Sequence, residues 1–337
     1  MTKILVTGGA GFIGSNFVRH VLANGDYEIV NLDALTYAGN LENLADVEAD
    51  ERYSFVRADI TDPVAVTAAF TTHRPDWVVH FAAESHVDRS VKDATAFVQT
   101  NVVGTQVMLD VARQHEVRRF VHVSTDEVYG SLGPTGSFTE ESTIQPNSPY
   151  SASKAGSDFL VRAAFHTHDM DTRITRCSNN YGPFQFPEKL IPLMVSNAFE
   201  GKPLPVYGDG MNVRDWIHVE DHARAVLTVL ESGRAGEVYN IGGNSERANI
   251  DVVKRILELT DRGEDLIRFV TDRPGHDRRY AIDGTKIAEQ LGFRPKWTFE
   301  DGIAATVDWY RANREWTQRV RSGAYQDYYE RQYGTLS

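Results

Sequence analysis

A glycine-rich segment near the start constrains the fold more than any other feature of this 337-residue chain. The apolar run Lys3–Thr7 leads directly into Gly8, Gly11 and Gly14, and a helical pattern follows at Ile13–Ala23. Glycines in this spacing permit a tight turn, let backbone N–H groups approach a ligand, and let strand and helix pack closely. The segment therefore predicts a strand, a turn and a helix whose positive N-terminal end can bind a pyrophosphate.

Short β-branched runs alternate with helical patterns through the first half of the chain. This alternation is typical of βαβ units that build a parallel sheet. The expected strands are Lys3–Thr7, Glu28–Leu32, Tyr53–Arg57, Trp77–Ala82, Phe120–Ser124 and Arg173–Cys177. The expected helices are Ile13–Ala23, Pro63–Thr72, Thr95–His115 and Tyr150–His168. We therefore predict an α/β fold of the Rossmann type, with a doubly wound parallel sheet.

The sequence pattern changes after Asn180, where prolines from Pro183 to Pro205 interrupt the alternation. We expect residues 1–180 to form a dinucleotide-binding domain and residues 181–337 a smaller C-terminal substrate-binding domain. Val238–Ile241 has the composition of another buried strand, and Val213–His218 lies in a loop-rich stretch before a helix. The chain is therefore expected to re-enter the large sheet near residues 210–245.

Charge and composition exclude several classes of protein. The chain carries 35 basic and 47 acidic residues, a formal net charge of -12, which disfavours a surface that binds nucleic acid or anionic membranes. Its 41% hydrophobic residues are enough for a buried core. Neither a signal-peptide pattern nor an apolar run of the ~20 residues that cross a bilayer is present. A single cysteine, Cys177, adds to the expectation of a reduced, cytoplasmic protein.

Acidic residues at the predicted strand ends indicate the type of dinucleotide. Asp33 lies about 20 residues after the glycine turn, where a carboxylate accepts hydrogen bonds from ribose hydroxyls and repels a 2′-phosphate. NAD is therefore expected rather than NADP. Asp59 is positioned either to meet the adenine amino group or to cap the helix that begins at Pro63. The small residues between Phe81 and Ser85 would let backbone lie against the cofactor.

Tyr150 and Lys154 form the strongest catalytic signal. They are four residues apart at the start of an expected helix, so both side chains project from one face. An ammonium beside a phenol stabilises the phenolate and lowers the tyrosine pKa from about 10, so that the oxygen can take a proton from a hydroxyl group. Thr125 follows a predicted strand that ends at the same edge of the sheet. The three residues together predict oxidation of an alcohol.

These motifs together resemble the extended short-chain dehydrogenase/reductase family of nucleotide-sugar enzymes, over nearly the whole chain. The resemblance implies that a sugar carbon gives a hydride to NAD while Tyr150 removes the hydroxyl proton, that Thr125 hydrogen-bonds this hydroxyl, and that Lys154 also holds the nicotinamide ribose. Cofactor contacts are expected from Gly8, Gly11, Phe12, Ile13, Gly14, Asp33, Thr36, Asp59, Ile60, Phe81, Ala82, Ala83, Ser85, Thr100, Tyr150, Lys154 and Asn180.

Two adjacent carboxyl groups, Asp126 and Glu127, follow the threonine. Eliminating water needs a base for a C–H bond and an acid for the departing hydroxyl, whereas 4-epimerisation needs neither. Burial can hold one of two neighbouring carboxyls protonated and leave the other ionised. The alternative is a solvated turn. The segment is similar to that of the nucleotide-sugar 4,6-dehydratases, which implies that Asp126 protonates the C6 hydroxyl and Glu127 takes the C5 proton, before the hydride returns to C6.

The same resemblance implies dTDP-glucose as the substrate and a 4-keto-6-deoxy sugar of rhamnose-type nucleotide biosynthesis as the product. Arg214 and Arg273 can hold a diphosphate, and Tyr207 can stack on a pyrimidine. A UDP-sugar 4,6-dehydratase or a 4-epimerase of the same family, and a non-catalytic NAD-binding regulator, are the alternatives. Substrate contacts are expected from Ser85, Thr125, Asn179, Lys189, Leu190, Pro205, Tyr207, Arg214, Asn249, Arg273 and His276.

Two further expectations concern metals and subunits. His86, His218 and His222 lack the spacing of helical metal ligands, so we interpret them as structural or surface residues and expect no metal. Thr95–His115 and Tyr150–His168 carry apolar residues on more than one face. By the resemblance, these helices would pair with their copies as a four-helix bundle in a homodimer; the alternative is that both faces are buried within one chain.

Overall fold

The computed structural model describes residues 1–272 and 276–321. Its strands are β1 (Thr2–Thr7), β2 (Tyr27–Asp33), β3 (Tyr53–Arg57), β4 (Trp77–His80), β5 (Arg119–Thr125), β6 (Thr172–Cys177), β7 (Asn179–Tyr181), β8 (Leu204–Tyr207), β9 (Val213–His218), β10 (Val238–Ile241), β11 (Glu246–Ala248) and β12 (Ile267–Val270). Its α-helices are α1 (Phe12–Asn24), α2 (Pro63–His73), α3 (Val87–Lys92), α4 (Ala94–Phe97), α5 (Thr105–Gln114), α6 (Pro149–His168), α7 (Leu190–Glu200), α8 (Val219–Ser232), α9 (Asn249–Leu259), α10 (Thr285–Leu291), α11 (Phe299–Ala312) and α12 (Arg314–Val320).

Within the described ranges the largest sheet has seven strands, in the order β10-β6-β5-β4-β1-β2-β3. Every neighbouring pair is parallel. The chain moves outward from β1 to β3, then returns to the other side of β1 and moves outward again from β4. The prediction of a doubly wound, Rossmann-type sheet is confirmed. The strand order reverses between β1 and β4, which is where ligands bind in open sheets of this type.

The large sheet is covered on both faces, which explains why its strands are continuously apolar rather than alternating. In β1, the fully buried Ile4 and Val6 join the apolar cluster that includes α1 and α8, and Leu5 joins the cluster that includes α2, α5 and α6. No described helix is both long and apolar enough to cross a membrane.

Two predicted elements differ from the structure. β4 ends at His80 rather than at Ala82, because the Thr7 hydroxyl at the end of β1 accepts the Ala82 N–H at 3.1 Å and draws the chain out of the ladder. The helix expected over Thr95–His115 is divided into α4, a π-helical segment at Val98–Gly104 and α5. In this wide turn, the buried Asn101 uses its side chain to bond both the N–H and the C=O of Glu84.

A second apolar core lies among α7, α9, α11 and the smaller sheets. β7, β9 and β11 form one of these sheets, and β8 pairs with β12 in the other. Tyr181 and Trp216 meet edge to face in this core, with ring centroids 6.3 Å apart. Val213–His218 therefore belongs to β9 in a small sheet, whereas Val238–Ile241 is the segment that joins the large sheet, beside β6.

Candidate active site

A cleft of about 330 Å³ runs along the carboxyl ends of the large sheet, across the point where the strand order reverses. The loops after the first six strands contribute to its walls. All residues predicted to contact the cofactor line this cleft, namely Gly8, Gly11, Phe12, Ile13, Gly14, Asp33, Thr36, Asp59, Ile60, Phe81, Ala82, Ala83, Ser85, Thr100, Tyr150, Lys154 and Asn180.

The glycine turn forms a cradle at one end of the cleft. Gly8 has φ +70°, a conformation that favours glycine, and a Cβ on Gly14 would lie 2.2 Å from the Gly8 carbonyl oxygen. Gly11 precedes α1 without any side-chain cap, so backbone N–H groups of the first turn are left for a ligand. A pyrophosphate suits this end of the helix because its charge complements the helix dipole.

The two strand-end aspartates differ in their surroundings. Asp33 is buried, and its carboxylate accepts the N–H of Ala10 at 3.0 Å and that of Leu35 at 2.8 Å. Burial raises the pKa of Asp33 above its usual value. Asp59 accepts the N–H of Thr61, whereas Asp62 caps α2. The alternative role of Asp59 as the helix cap is therefore wrong, and its carboxyl group remains at the cleft.

Lys154 is anchored at the floor of the cleft. Ser148 and Ser151 form a capping box that fixes the start of α6, and Lys154 follows one turn later. The Lys154 ammonium donates to the Val123 carbonyl at 2.9 Å and lies 3.4 Å from His122 Nε2. Burial lowers the pKa of Lys154 to about 8.

The expected lowering of the Tyr150 pKa is not found in this structure. Burial and the charge of Glu127 hold the pKa of Tyr150 well above its usual value. The neighbouring Thr125 side chain acts in the opposite direction and lowers it. The desolvation of the phenol outweighs an ammonium that is itself bonded to a backbone carbonyl.

Asp126 and Glu127 occupy a 3₁₀ turn at the end of β5. The Thr125 side chain caps this turn by accepting the Glu127 N–H at 3.2 Å. Asp126 is only 2% exposed, so the alternative of a solvated turn is wrong for this residue. Burial, together with the charges of Glu127 and Asp215, raises the pKa of Asp126 well above its usual value. Asp126 is therefore suited to act as an acid beside a more accessible carboxylate.

The predicted substrate residues divide into two groups. Ser85, Thr125, Asn179 and Lys189 line the cleft. The Lys189 ammonium donates to the Ser85 carbonyl at 3.1 Å and joins the loop after β4 to the start of α7. Leu190 packs against the second apolar core, while Pro205 is buried in β8.

Like Leu190 and Pro205, the other predicted substrate residues that the structure describes are not among those that line the cleft. Arg214 is buried in β9, donates to the Asp277 carbonyl at 2.9 Å, and stacks over Tyr280. The Tyr207 hydroxyl donates to Asp88 at 3.3 Å. His276 Nδ1 lies 2.6 Å from Asp272 Oδ1. The backbone N–H of Asn249 donates to the Asn212 carbonyl. Arg273 lies outside the described residues.

The histidines interpreted as structural or surface residues are all buried and hydrogen-bonded. His86 caps α3 and His218 caps α8. His222 Nδ1 lies 2.8 Å from Asn180 Oδ1, which fixes the orientation of an amide that lines the cleft. In the described part of the chain, no cluster of histidine, cysteine, aspartate or glutamate has the arrangement of a metal site.

The sequence analysis missed Glu188, whose side chain is 2% exposed at the wall of the cleft. Its carboxylate lies 3.4 Å from the Arg89 guanidinium and 3.6 Å from His86 Nε2. Burial nevertheless raises the pKa of Glu188 to about 7. Glu188 belongs to an irregular loop without hydrophobic periodicity, so no sequence pattern distinguishes it from a surface glutamate. Its neighbours in the cleft wall, Gln185 and Phe186, were missed for the same reason.

Comparison with known proteins gives matches along nearly the whole chain. Residues 5–306 match the family described as GDP-mannose 4,6 dehydratase. The dTDP-glucose 4,6-dehydratase of Shigella flexneri is 54% identical, over 98% of this chain and 99% of that protein.

Solved structures agree with this result. The dTDP-glucose 4,6-dehydratase DesIV from Streptomyces venezuelae, solved with NAD and TYD bound, is 53% identical and has a TM-score of 0.92, covering 95% of this chain and 100% of that chain. The UDP-glucose 4-epimerase of Thermotoga maritima, solved with UDP-glucose, is 31% identical with a TM-score of 0.86, covering 92% and 99%. The fold is therefore shared by both enzyme types, and sequence identity is higher with the dehydratases.

Proposed function

The chain belongs to the GDP-mannose 4,6-dehydratase family of extended short-chain dehydrogenases, and from this membership we propose that it is an NAD-dependent hydro-lyase that converts dTDP-glucose to dTDP-4-keto-6-deoxyglucose. This product is a precursor for deoxysugar nucleotides of the rhamnose type. Whole-length identity of 54% to a dTDP-glucose 4,6-dehydratase supports the substrate. A DesIV structure with NAD bound supports the cofactor.

The observation that carries the proposal is the buried Asp126 beside Glu127 in a cleft that also holds Tyr150. Oxidation and re-reduction at C4, as in an epimerase, would need the tyrosine alone. A carboxyl group whose pKa is raised by burial and by neighbouring negative charge supplies a proton for a departing hydroxyl. This arrangement favours the dehydratase over the 4-epimerase, and a complete set of acid, base and tyrosine disfavours a non-catalytic regulator.

The residues of the cleft fit NAD. Gly11 has no side chain to fill the space above the uncapped end of α1, and the Asp33 carboxylate lies at the end of β2 on the same cleft. The nicotinamide ring, when bound, would accept a hydride from C4 and return it at C6. Lys154 and Asn180 line the nicotinamide end in this proposal, with Asn180 held by His222.

Four proton transfers divide among three residues of the site. Tyr150 takes the C4 hydroxyl proton while C4 loses its hydride, and Thr125 bonds the same hydroxyl. The resulting ketone acidifies the C5 proton, which Glu127 removes while Asp126 protonates the C6 hydroxyl, so that water leaves. The proton on Glu127 then returns to C5 as C6 receives the hydride. Each carboxyl group therefore has a separate role, set by its burial.

Substitution of each carboxyl group separates hydride transfer from C4 from the elimination of water. Glu127→Gln should still permit hydride transfer from C4, because Tyr150, Lys154 and Thr125 remain, but it should block elimination. The variant should accumulate reduced cofactor, detected by absorbance, and exchange of solvent deuterium into C5 should stop. Asp126→Asn cannot donate a proton to the C6 hydroxyl, and C5 exchange should persist.

An epimerase would give neither pattern: C5 would not exchange in the wild type, and both variants would turn over normally. Comparison of the products from dTDP-glucose and UDP-glucose by mass spectrometry tests which nucleobase of the substrate the enzyme prefers. Faster conversion of UDP-glucose would contradict the assignment of the thymine nucleotide.

A homodimer is the second part of the proposal. Val98, Val103 and Phe159 are exposed apolar residues of the π-helical segment and α6, and Phe159 is 56% exposed. Two copies of these helices would bury these side chains in a four-helix bundle. Phe159→Glu should convert the dimer to a monomer in light scattering, and Phe269→Glu is a matched control because Phe269 is 59% exposed on β12. A wild-type monomer at micromolar concentration would refute the dimer.

A cytoplasmic location completes the proposal. Its support is the single cysteine, Cys177, which is buried and unpaired by any disulfide, as is usual where thiols stay reduced. Cell fractionation with an antibody against the chain tests it, and recovery outside the cytoplasmic fraction would contradict it.

A further inference from the structure

Lys154 has an oppositely charged neighbour on its own helix. Asp158 follows it by four residues on α6, and opposite charges at this spacing ordinarily form an ion pair. Both side chains are buried, at 3% and 2% exposure, and burial strengthens the attraction between charges. The described structure nevertheless holds them apart, and the Lys154 ammonium donates to the Val123 carbonyl at 2.9 Å.

The Asp158 carboxylate has an acceptor to spare. Its Oδ2 accepts from Arg176 Nε at 2.9 Å, whereas its Oδ1 is buried without a hydrogen-bond partner among the described residues. An ammonium that reached Oδ1 would gain a charge-assisted hydrogen bond, which is stronger than a bond to a neutral carbonyl. A neighbouring group therefore has to keep Lys154 from this oxygen.

The His122 imidazole contacts both charged groups. Its Nε2 lies 3.4 Å from Lys154 Nζ and 3.6 Å from Asp158 Oδ1, and the residue is fully buried in β5. Both distances are measured from the same nitrogen. This edge of the ring therefore lies where an ion pair between Lys154 and Asp158 would form.

The hydrogen bonds of Ser157 assign the hydrogen on the His122 ring. The Ser157 hydroxyl donates to the Lys154 carbonyl at 2.8 Å, so its oxygen is left to accept from His122 Nε2 at 3.0 Å. Burial and the charge of Lys154 hold the pKa of His122 well below its usual value, so the ring is neutral. A neutral ring with its hydrogen on Nε2 has no lone pair there, and it offers the Lys154 ammonium no acceptor.

We propose that His122 is a positioning residue that keeps Lys154 out of an ion pair with Asp158, so that the ammonium stays available to the nicotinamide ribose. This inference rests on the role of Lys154 in the proposed function. Val123 takes one of the three N–H donors of the ammonium, and two remain for a ligand in the cleft that Lys154 lines. Without the ring, the flexible lysine side chain would turn to Asp158 Oδ1 and away from the cofactor.

His122→Ala opens this space and tests the proposal in the NAD-loaded enzyme. NAD should leave the variant about 10 to 100 times faster than wild type, the range for losing a hydrogen bond from a charged group. Release is measured as the NAD that remains on the protein after increasing times of dialysis. A crystal structure of the variant should show Lys154 Nζ bonded to Asp158 Oδ1. Release at the wild-type rate, or an ammonium still bonded only to Val123, would overturn the proposal.

A second substitution separates positioning from a general structural defect. Asp158→Asn keeps an oxygen for Arg176 and removes the charge that attracts Lys154. His122→Ala combined with Asp158→Asn should therefore release NAD at a rate close to that of Asp158→Asn alone. A structural defect would instead persist or grow with a second buried substitution. Release from the double variant as fast as from His122→Ala would refute the proposed role.

His122→Phe is the conservative variant because it keeps a ring of similar size between the two charged groups. It should retain the slow release of wild type, and a loss as large as that of His122→Ala would contradict a spacer. If His122→Ala does not fold, His122→Asn shortens the side chain, can still donate to Ser157 and gives the same comparison. These measurements use no sugar nucleotide, so failure of the proposed function is recognised separately, as the absence of dehydrated product from wild type and dTDP-glucose.

Discussion

Glu188 should make the stability of this protein depend on pH in the direction opposite to that of a salt-bridged carboxylate. Its side chain is 2% exposed, and burial raises its pKa from 4.5 to about 7 even though Arg89 and His86 lie 3.4 and 3.6 Å away. The folded state therefore holds the Glu188 proton more tightly than the unfolded chain does. Above the folded pKa, folding has to bury an ionised carboxylate.

The size of this effect follows from the two pKa values. The unfolded chain releases the proton near pH 4.5 and the folded protein near about 7. Stability from this group is complete below the unfolded pKa and is lost as the pH rises through the folded pKa, by about 1.4 kcal/mol per pH unit between the two. The free energy of unfolding should therefore fall by about 3 kcal/mol across this window.

Glu188→Gln tests this reasoning because glutamine stays neutral at every pH. Urea unfolding at about pH 5 and about pH 8, with NAD at one saturating concentration, gives the free energy of unfolding of each protein. The free energy of unfolding of the variant minus that of wild type should be about 3 kcal/mol larger at the higher pH than at the lower pH. Glu48→Gln removes an exposed glutamate and is the matched control. The same pH dependence in wild type and Glu188→Gln would refute the argument.

Three further outcomes are expected. Tyr150→Phe removes the hydroxyl that receives the C4 proton, so single-turnover cofactor reduction should slow by about 10² to 10⁴, with little change in substrate affinity; normal turnover would exclude the mechanism. Asp158→Ala leaves the buried Arg176 guanidinium without its carboxylate partner at 2.9 Å, and urea unfolding should show a loss of about 3–5 kcal/mol; a change below about 1 kcal/mol would show that the ion pair is dispensable. Freshly purified protein should release NAD on denaturation, because a hydride that is returned makes cofactor exchange unnecessary; complete dependence on added NAD would contradict retention.

Most of the large sheet was predictable because its signals are local. Tyr53–Arg57 matches the predicted strand at both ends, and β1, β2, β5 and β6 start or end within one residue of expectation. Strands buried on both faces are short apolar runs, and the glycine turn fixes where the first one ends. Since parallel strands place their carboxyl ends at one edge, residues read from strand ends come together in the cleft.

Elements that depend on distant contacts were not predictable. β9 exists because Val213–His218 pairs with β7 and β11, and Asp215 accepts the Gly243 and Ser245 N–H groups at 2.8 and 2.6 Å. Its sequence carries no sign of these partners. The raised pKa values of Tyr150 and Glu188 are likewise set by burial in the assembled cleft, which a spacing pattern does not encode.

Thr125 shows why a turn interpretation and a catalytic interpretation of one segment need not compete. The hydroxyl that caps the 3₁₀ turn by accepting the Glu127 N–H also donates to Asp126, in the cleft that Tyr150 lines. Capping places Asp126, the first residue of the turn, against the sheet. This burial removes solvent from its carboxyl group and raises its pKa. The second residue, Glu127, is left at the cleft surface. The local rule that ends β5 therefore also separates the two carboxyl groups into an acid and a base, so a change at Thr125 should alter turn geometry and proton transfer together, whereas Thr125→Ser should preserve both.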